Sequence, residues 1–115
     1  MNIRNLTGHT INVVFQDGTL VNTLEPDKIY NQLKANTNVL SSFVIDGMMV
    51  TQVSYSLPLT FKEMKELSKS CDAILVSKIV ADELKKMNYK GMVLIPGRKV
   101  YKDRSLVGVS ELSIY

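Results

Sequence analysis

Hydrophobic positions in the first half of the chain alternate with polar ones at the period of a strand. Over Ile11–Phe15, residues Ile11, Val13 and Phe15 fall on one side, because successive strand residues point to opposite faces. Asp17-Gly18 follows, a pair that tolerates positive φ and favours a tight hairpin turn. Thr19–Leu24 is then expected to return antiparallel, and Pro26 to end that run, since proline has no amide to give to a ladder. A second hairpin reads from Phe43-Val44-Ile45 through Asp46-Gly47 to Met48–Tyr55. Within it Met49, Thr51, Val53 and Tyr55 share one side and Met48, Val50, Gln52 and Ser54 the other, so one face is expected to be buried. Between the hairpins Asn36-Thr37-Asn38 reads as a polar loop. Ile29–Ala35 suits either a helix or a strand.

The second half changes period. Thr60-Phe61-Lys62-Glu63 has the spacing of a capping box, in which the threonine oxygen takes an early helix amide and the glutamate reaches back. Phe61, Met64, Leu67 and Cys71 then recur at helical spacing, which makes Cys71 a core residue rather than a reactive thiol. Ala73–Val76 reads as a short apolar strand. Ser77 caps a second helix whose stripe is Val80, Leu84 and Met87, with Asp82 and Glu83 on its polar side. Met92–Ile95 reads as a second buried strand, Pro96-Gly97 as a turn, Lys99–Lys102 as extended, Asp103-Arg104-Ser105 as a turn, and Leu106–Tyr115 as one closing strand. The expected fold is a single α+β domain over residues 1–115, a mainly antiparallel sheet built on N-terminal hairpins with two short helices in the C-terminal half.

Composition adds bounds. Hydrophobic residues make up 45% and charged residues 22% of 115 residues, as in ordinary globular domains. No apolar run reaches the length of a membrane span. The polar N-terminus, with Asn2, Arg4, Asn5 and Thr7, is not that of a signal peptide, and a lone cysteine forms no internal disulfide, so the cytoplasm is the expected compartment. Net charge is +3. Lys85, Lys86, Lys90, Arg98, Lys99, Lys102 and Arg104 crowd one stretch, interleaved with Tyr89 and Tyr101. That stretch is a solvated face or a phosphate-binding surface.

Enzyme signatures are missing. The only histidine, His9, rules out a histidine-rich metal site, and it reads as a structural hydrogen-bonding group near a strand end rather than a catalytic base. No glycine-rich phosphate loop occurs. No metal, cofactor or catalytic residue is therefore expected. Candidate ligand contacts are Lys102 and Arg104 for phosphate, Tyr101 or Tyr89 for a base or ribose, Arg98, and Ser77 at a helix start where free amides favour anions.

The order of several short segments carries a resemblance. Asn5-Leu6-Thr7-x-His9, Leu24-Glu25-Pro26, Gly47-Met48-Met49-Val50, Leu57-Pro58, Ile74-Leu75-Val76-Ser77, Pro96-Gly97, Tyr101-Lys102-Asp103 and Leu106-Val107-Gly108 span nearly the whole chain. In this order they resemble a small phage-encoded family that usually begins Asn-Leu-Thr-Pro-His and includes Thoeris anti-defence sponges. The resemblance implies a homo-oligomer that sequesters a cyclic ADP-ribose isomer, or a related cyclic nucleotide, without catalysis. It also implies a strand over Ile29–Ala35. The chain departs from the family pattern in four places: Gly8 stands for the usual proline, Ile74 for an aromatic residue, Lys102 for an arginine, and no arginine lies near Asn31 or Gln32. The alternatives are a protein-interaction module that directly inhibits a host protein and a small nucleic-acid-binding domain.

Overall fold

The computed structural model describes all 115 residues, in ten strands and two helices. The strands are β1 (Ile3–Asn5), β2 (Ile11–Val14), β3 (Leu20–Leu24), β4 (Asn36–Ile45), β5 (Met48–Ser56), β6 (Ala73–Leu75), β7 (Met92–Pro96), β8 (Lys99–Lys102), β9 (Ser105–Val109) and β10 (Leu112–Ile114). The helices are α1 (Phe61–Ser70) and α2 (Lys78–Lys86). They form two four-stranded sheets, ordered β1-β6-β7-β10 and β3-β2-β9-β8, and a separate β4-β5 hairpin.

The α+β class holds, but the sheets are mixed rather than mainly antiparallel. Strand β6 is parallel to both β1 and β7, and β2 is parallel to β9. The β6-β7 pairing follows from the middle of the chain, where α2 joins the two strands. A strand, an α-helix and another strand in sequence form a crossover unit, and a crossover returns its second strand parallel to the first. Strand β6 is buried on both faces, as parallel strands usually are. Its Ile74 side packs with Leu67, Val80 and Leu84 against the helices. Ala73 and Leu75 face the other way and pack with Leu94, Ile11 and Leu24, beneath the second sheet. The body is therefore three layers: helices, first sheet, second sheet.

Both helices start as their sequences dictate. Thr60 Oγ1 accepts from the Glu63 amide at 3.1 Å and Glu63 Oε1 from the Thr60 amide at 3.1 Å, which completes the capping box. Ser77 Oγ accepts from the Val80 amide at 3.4 Å. Of the α1 stripe Met64 and Leu67 are buried, Cys71 packs partly buried against the core, and Phe61 is 76% exposed. Glu83 is buried rather than on the polar side of α2, and Lys86 Nζ pairs with it at 3.1 Å.

The Asn5-Leu6-Thr7-Gly8-His9 segment closes a loop between the sheets. Buried Asn5 donates through Nδ2 to the carbonyls of His9 (2.7 Å) and Leu24 (2.8 Å). Its Oδ1 accepts from the Thr7 amide and hydroxyl. Leu6 donates its amide to the Leu75 carbonyl and is itself buried. Gly8 has φ +81°, and a Cβ there would sit 2.9 Å from the Gln32 side chain. Proline is fixed near −65° and cannot take this conformation. His9 lies in this loop, exposed, rather than in a strand, and joins the network through its backbone.

Four other local expectations change. Ile29–Ala35 is neither helix nor strand. Asp27 Oδ2 takes the amides of Ile29 (3.1 Å) and Tyr30 (2.9 Å), forming a turn, and Asn31 takes positive φ. Only isolated bridges, Asp27 with Asn31 and Gln32 with Thr7, remain. Arg4 anchors the turn, with its Nε 3.5 Å from Asp27 and its guanidinium 5.4 Å from the centre of the Tyr30 ring. Asn36-Thr37-Asn38 is not a loop but the start of β4. Leu106–Tyr115 is not one strand. It breaks at Ser110-Glu111, leaving β9 in the second sheet and β10 in the first.

The fourth change is the largest. The β4-β5 hairpin turns at Asp46-Gly47 with both residues at positive φ, as the sequence requires. Neither of its faces is buried. Every residue of β4 is exposed, and in β5 only Val50 and Ser54 are partly covered. The hairpin is a projecting arm.

Candidate functional site

The largest cavity, about 380 Å3, opens between α1 and the segment that leaves α2. Its walls are Phe61, Met64, Lys65, Ser68 and Lys69 from α1, and Met87, Asn88, Tyr89 and Lys90 after α2. Helical geometry places Phe61, Lys65, Ser68 and Lys69 on one side of α1, since residues three and four apart are neighbours. Three ammonium groups, two aromatic rings and a hydroxyl converge on the opening, and no carboxylate lines it. The volume lies within the range of small-molecule pockets.

The far wall is held by the end of α2. Asn88 takes φ +63°, donating its amide to the Lys85 carbonyl at 3.1 Å, while Tyr89 donates its own to Leu84 at 3.0 Å. This paired closure is a Schellman motif, which fixes the exit direction of the chain. Gly91 leaves space for the Tyr89 ring, because a Cβ there would come within 2.7–2.9 Å of ring and hydroxyl atoms. Partial burial, reinforced by Cys71, pushes the Tyr89 phenol up to about 12. Near neutral pH it is therefore a protonated hydrogen-bond donor with an aromatic face.

The six residues singled out from sequence do not line a common cavity. Tyr89 lines the α1–α2 cleft and a smaller neighbour beside Tyr115. Ser77 lines a different hollow, of about 190 Å3, with Lys34, Thr37, Tyr55 and Ile79, and its oxygen already serves its own helix. Tyr101, Lys102 and Arg104 are exposed on the β8-β9 hairpin. Their turn, Asp103-Arg104, has positive φ at both residues (50° and 67°). Lys102 lies near Asp17, whose carboxyl its charge helps to lower behind the larger effect of hydrogen bonds from Thr19. Arg98 is exposed at the β7-β8 connection, where its carbonyl takes the Ser110 amide.

Sequence reasoning found Tyr89 but missed its neighbours Lys65, Ser68, Lys69 and Phe61. The signal was present as two lysines four apart on an amphipathic helix. It reads as an ordinary solvated face until a second element is seen to oppose it.

No group of three or more histidine, cysteine, aspartate or glutamate side chains gathers to hold a metal ion, and no helix is long and apolar enough to cross a membrane. No family model matches the chain, and neither a curated protein nor a solved structure matches it.

Proposed function

We propose that this protein is a non-enzymatic, phage-type anti-defence sponge that binds and sequesters a cyclic nucleotide immune signal, a cyclic ADP-ribose isomer or a related cyclic nucleotide, in the cytoplasm. The observation that supports this most is the α1–α2 cleft, in which Lys65, Lys69 and Lys90 surround a hollow flanked by Phe61 and Tyr89. A nucleotide presents phosphates to cations and a flat base to an aromatic ring, and this wall offers both. Tyr89, held protonated, would donate to a ribose or phosphate oxygen. Sequestration asks only for tight binding, and the lining residues are binding groups.

Titration calorimetry with cyclic ADP-ribose isomers tests the assignment. Hydrogen bonds to charged groups contribute roughly 1.5–3 kcal/mol each. The Lys65→Ala/Lys69→Ala double variant is therefore expected to lose at least about tenfold in affinity, and Lys102→Ala to lose little. A large loss with Lys102→Ala and none with the double variant would move the site to the β8-β9 turn and overturn the cleft. Absence of binding by the unaltered protein to every cyclic nucleotide tried would overturn the function itself.

A further inference from the structure

The β4-β5 arm has no partner within the chain over most of its length. On one face the cross-strand register aligns Val44 with Met49, Ser42 with Thr51, Val39 with Val53, and Thr37 with Tyr55 nearer the base. On the other face Ile45 stands opposite Met48 and Phe43 opposite Val50, after which the face turns polar through Ser41 and Gln52. The tip is thus apolar on both sides, and one side becomes apolar again at Val39, Val53 and Tyr55 beyond the Ser42–Thr51 pair. Over residues 36–56 the only charge is Asp46, at the turn. A lone two-stranded ribbon is marginal in water, and native sheets protect exposed strand edges with charges, prolines or a covering element. This arm has one charge, no proline and no cover.

From this we infer that the arm is an association element, and that its occupant is the arm of a second copy of this chain. The two arms would clasp about a two-fold axis, each burying apolar residues of both its faces, as the same patch must do in a symmetric dimer. Area supports that occupant. Nine large apolar side chains, distributed over the two faces of the arm, are 37–68% exposed, which together leaves on the order of 800 Å2 per copy, the per-partner area of a standard interface. Charge supports it too, since a ribbon whose one charge sits at its turn has little complementarity for a charged partner, whereas apolar surface matches itself. The shape agrees. The radius of gyration is 16.7 Å, against roughly 13 Å for a compact chain of this length. This inference is independent of any ligand in the cleft.

Light scattering on the eluting protein, repeated over a dilution series, gives the solution mass. The unaltered protein is expected to have at least twice the chain mass, and Val44→Asp/Met49→Asp to reduce it to one chain while its thermal unfolding stays cooperative. A monomeric unaltered protein at high concentration would overturn the inference, including the case in which the arm serves a different protein. An oligomer that survives the double substitution would overturn it equally. Should that variant fail to fold, hydrogen exchange of the unaltered protein decides. Protection of amides 38–54 that falls on dilution supports the arm pairing, and concentration-independent rapid exchange there contradicts it.

Discussion

Asn5 has a residue-scale role that its sequence context conceals. Its side chain is buried and fully used, with two donors on carbonyls from separate segments and an acceptor on Thr7. Asn5→Ala leaves those partly buried partners without their hydrogen bonds and should cost about 1–3 kcal/mol, read from the urea midpoint. Gly8→Pro should be at least as damaging, because the loop needs φ +81° and Gln32 occupies the space of a side chain. The same substitution bears on the resemblance, since a proline at this position requires a different loop path. If Gly8→Pro unfolds at the same midpoint as the unaltered protein, the loop geometry described here is wrong. Tyr89 gives a pH prediction. Its phenol is raised to about 12 in the folded state, against about 10 in an unfolded chain. Between these values the unfolded chain loses a proton that the folded chain keeps, so stability is intact below pH ~10 and falls as pH rises toward ~12. In a tyrosinate absorbance titration, Tyr89→Phe should remove the step at highest pH.

At the scale of elements, local chemistry was legible and partners were not. Thr60 and Glu63 fix the start of α1 independently of packing, and both reciprocal bonds are present. Thr60→Ala is expected to cost about 1 kcal/mol, with Phe61→Ala as a near-neutral comparison because that ring is exposed. Asp46-Gly47 named its turn for the same reason, a demand on backbone torsion that two adjacent residues satisfy. The Ile29–Ala35 segment is not legible locally because its shape comes from Arg4, twenty-odd positions earlier, and from the Asp27 carboxylate accepting amides of the residues that follow it. Parallel pairing is not legible even where the strand-helix-strand order is, since parallel partners carry no turn between them to announce the pairing. Leu106–Tyr115 looked like one strand because alternation continues across Ser110-Glu111, while the chain there passes from one sheet to the other. In β5 alternation specifies only that the two faces differ, not that one of them is buried. What covers a face is a tertiary fact.

On the scale of the whole molecule, the core is small for the chain. Eighteen of 115 residues are buried, and none of them lies in the β4-β5 arm. Folding stability therefore resides in the three-layer body, while the arm and the cleft are surfaces that await company. Their independence is itself testable. Substitutions at Val44 and Met49 should change solution mass without a direct effect on the lysines of the cleft, which belong to α1 and the chain after α2. The basic surface has a second consequence. If the +3 net charge served nucleic acid, binding would fall steeply with added salt in proportion to the phosphates neutralised. An enclosed aromatic and hydroxyl contact would keep part of its affinity.

The most direct test of the central claim is ligand retention. Purified protein is mixed with cyclic ADP-ribose isomers and cyclic di- and trinucleotides, separated by filtration and heat-denatured, and the released small molecules are identified by mass spectrometry. One intact cyclic nucleotide recovered from the denatured protein is the predicted result. A chemically altered product, or every ligand left unchanged in the filtrate, would contradict sequestration.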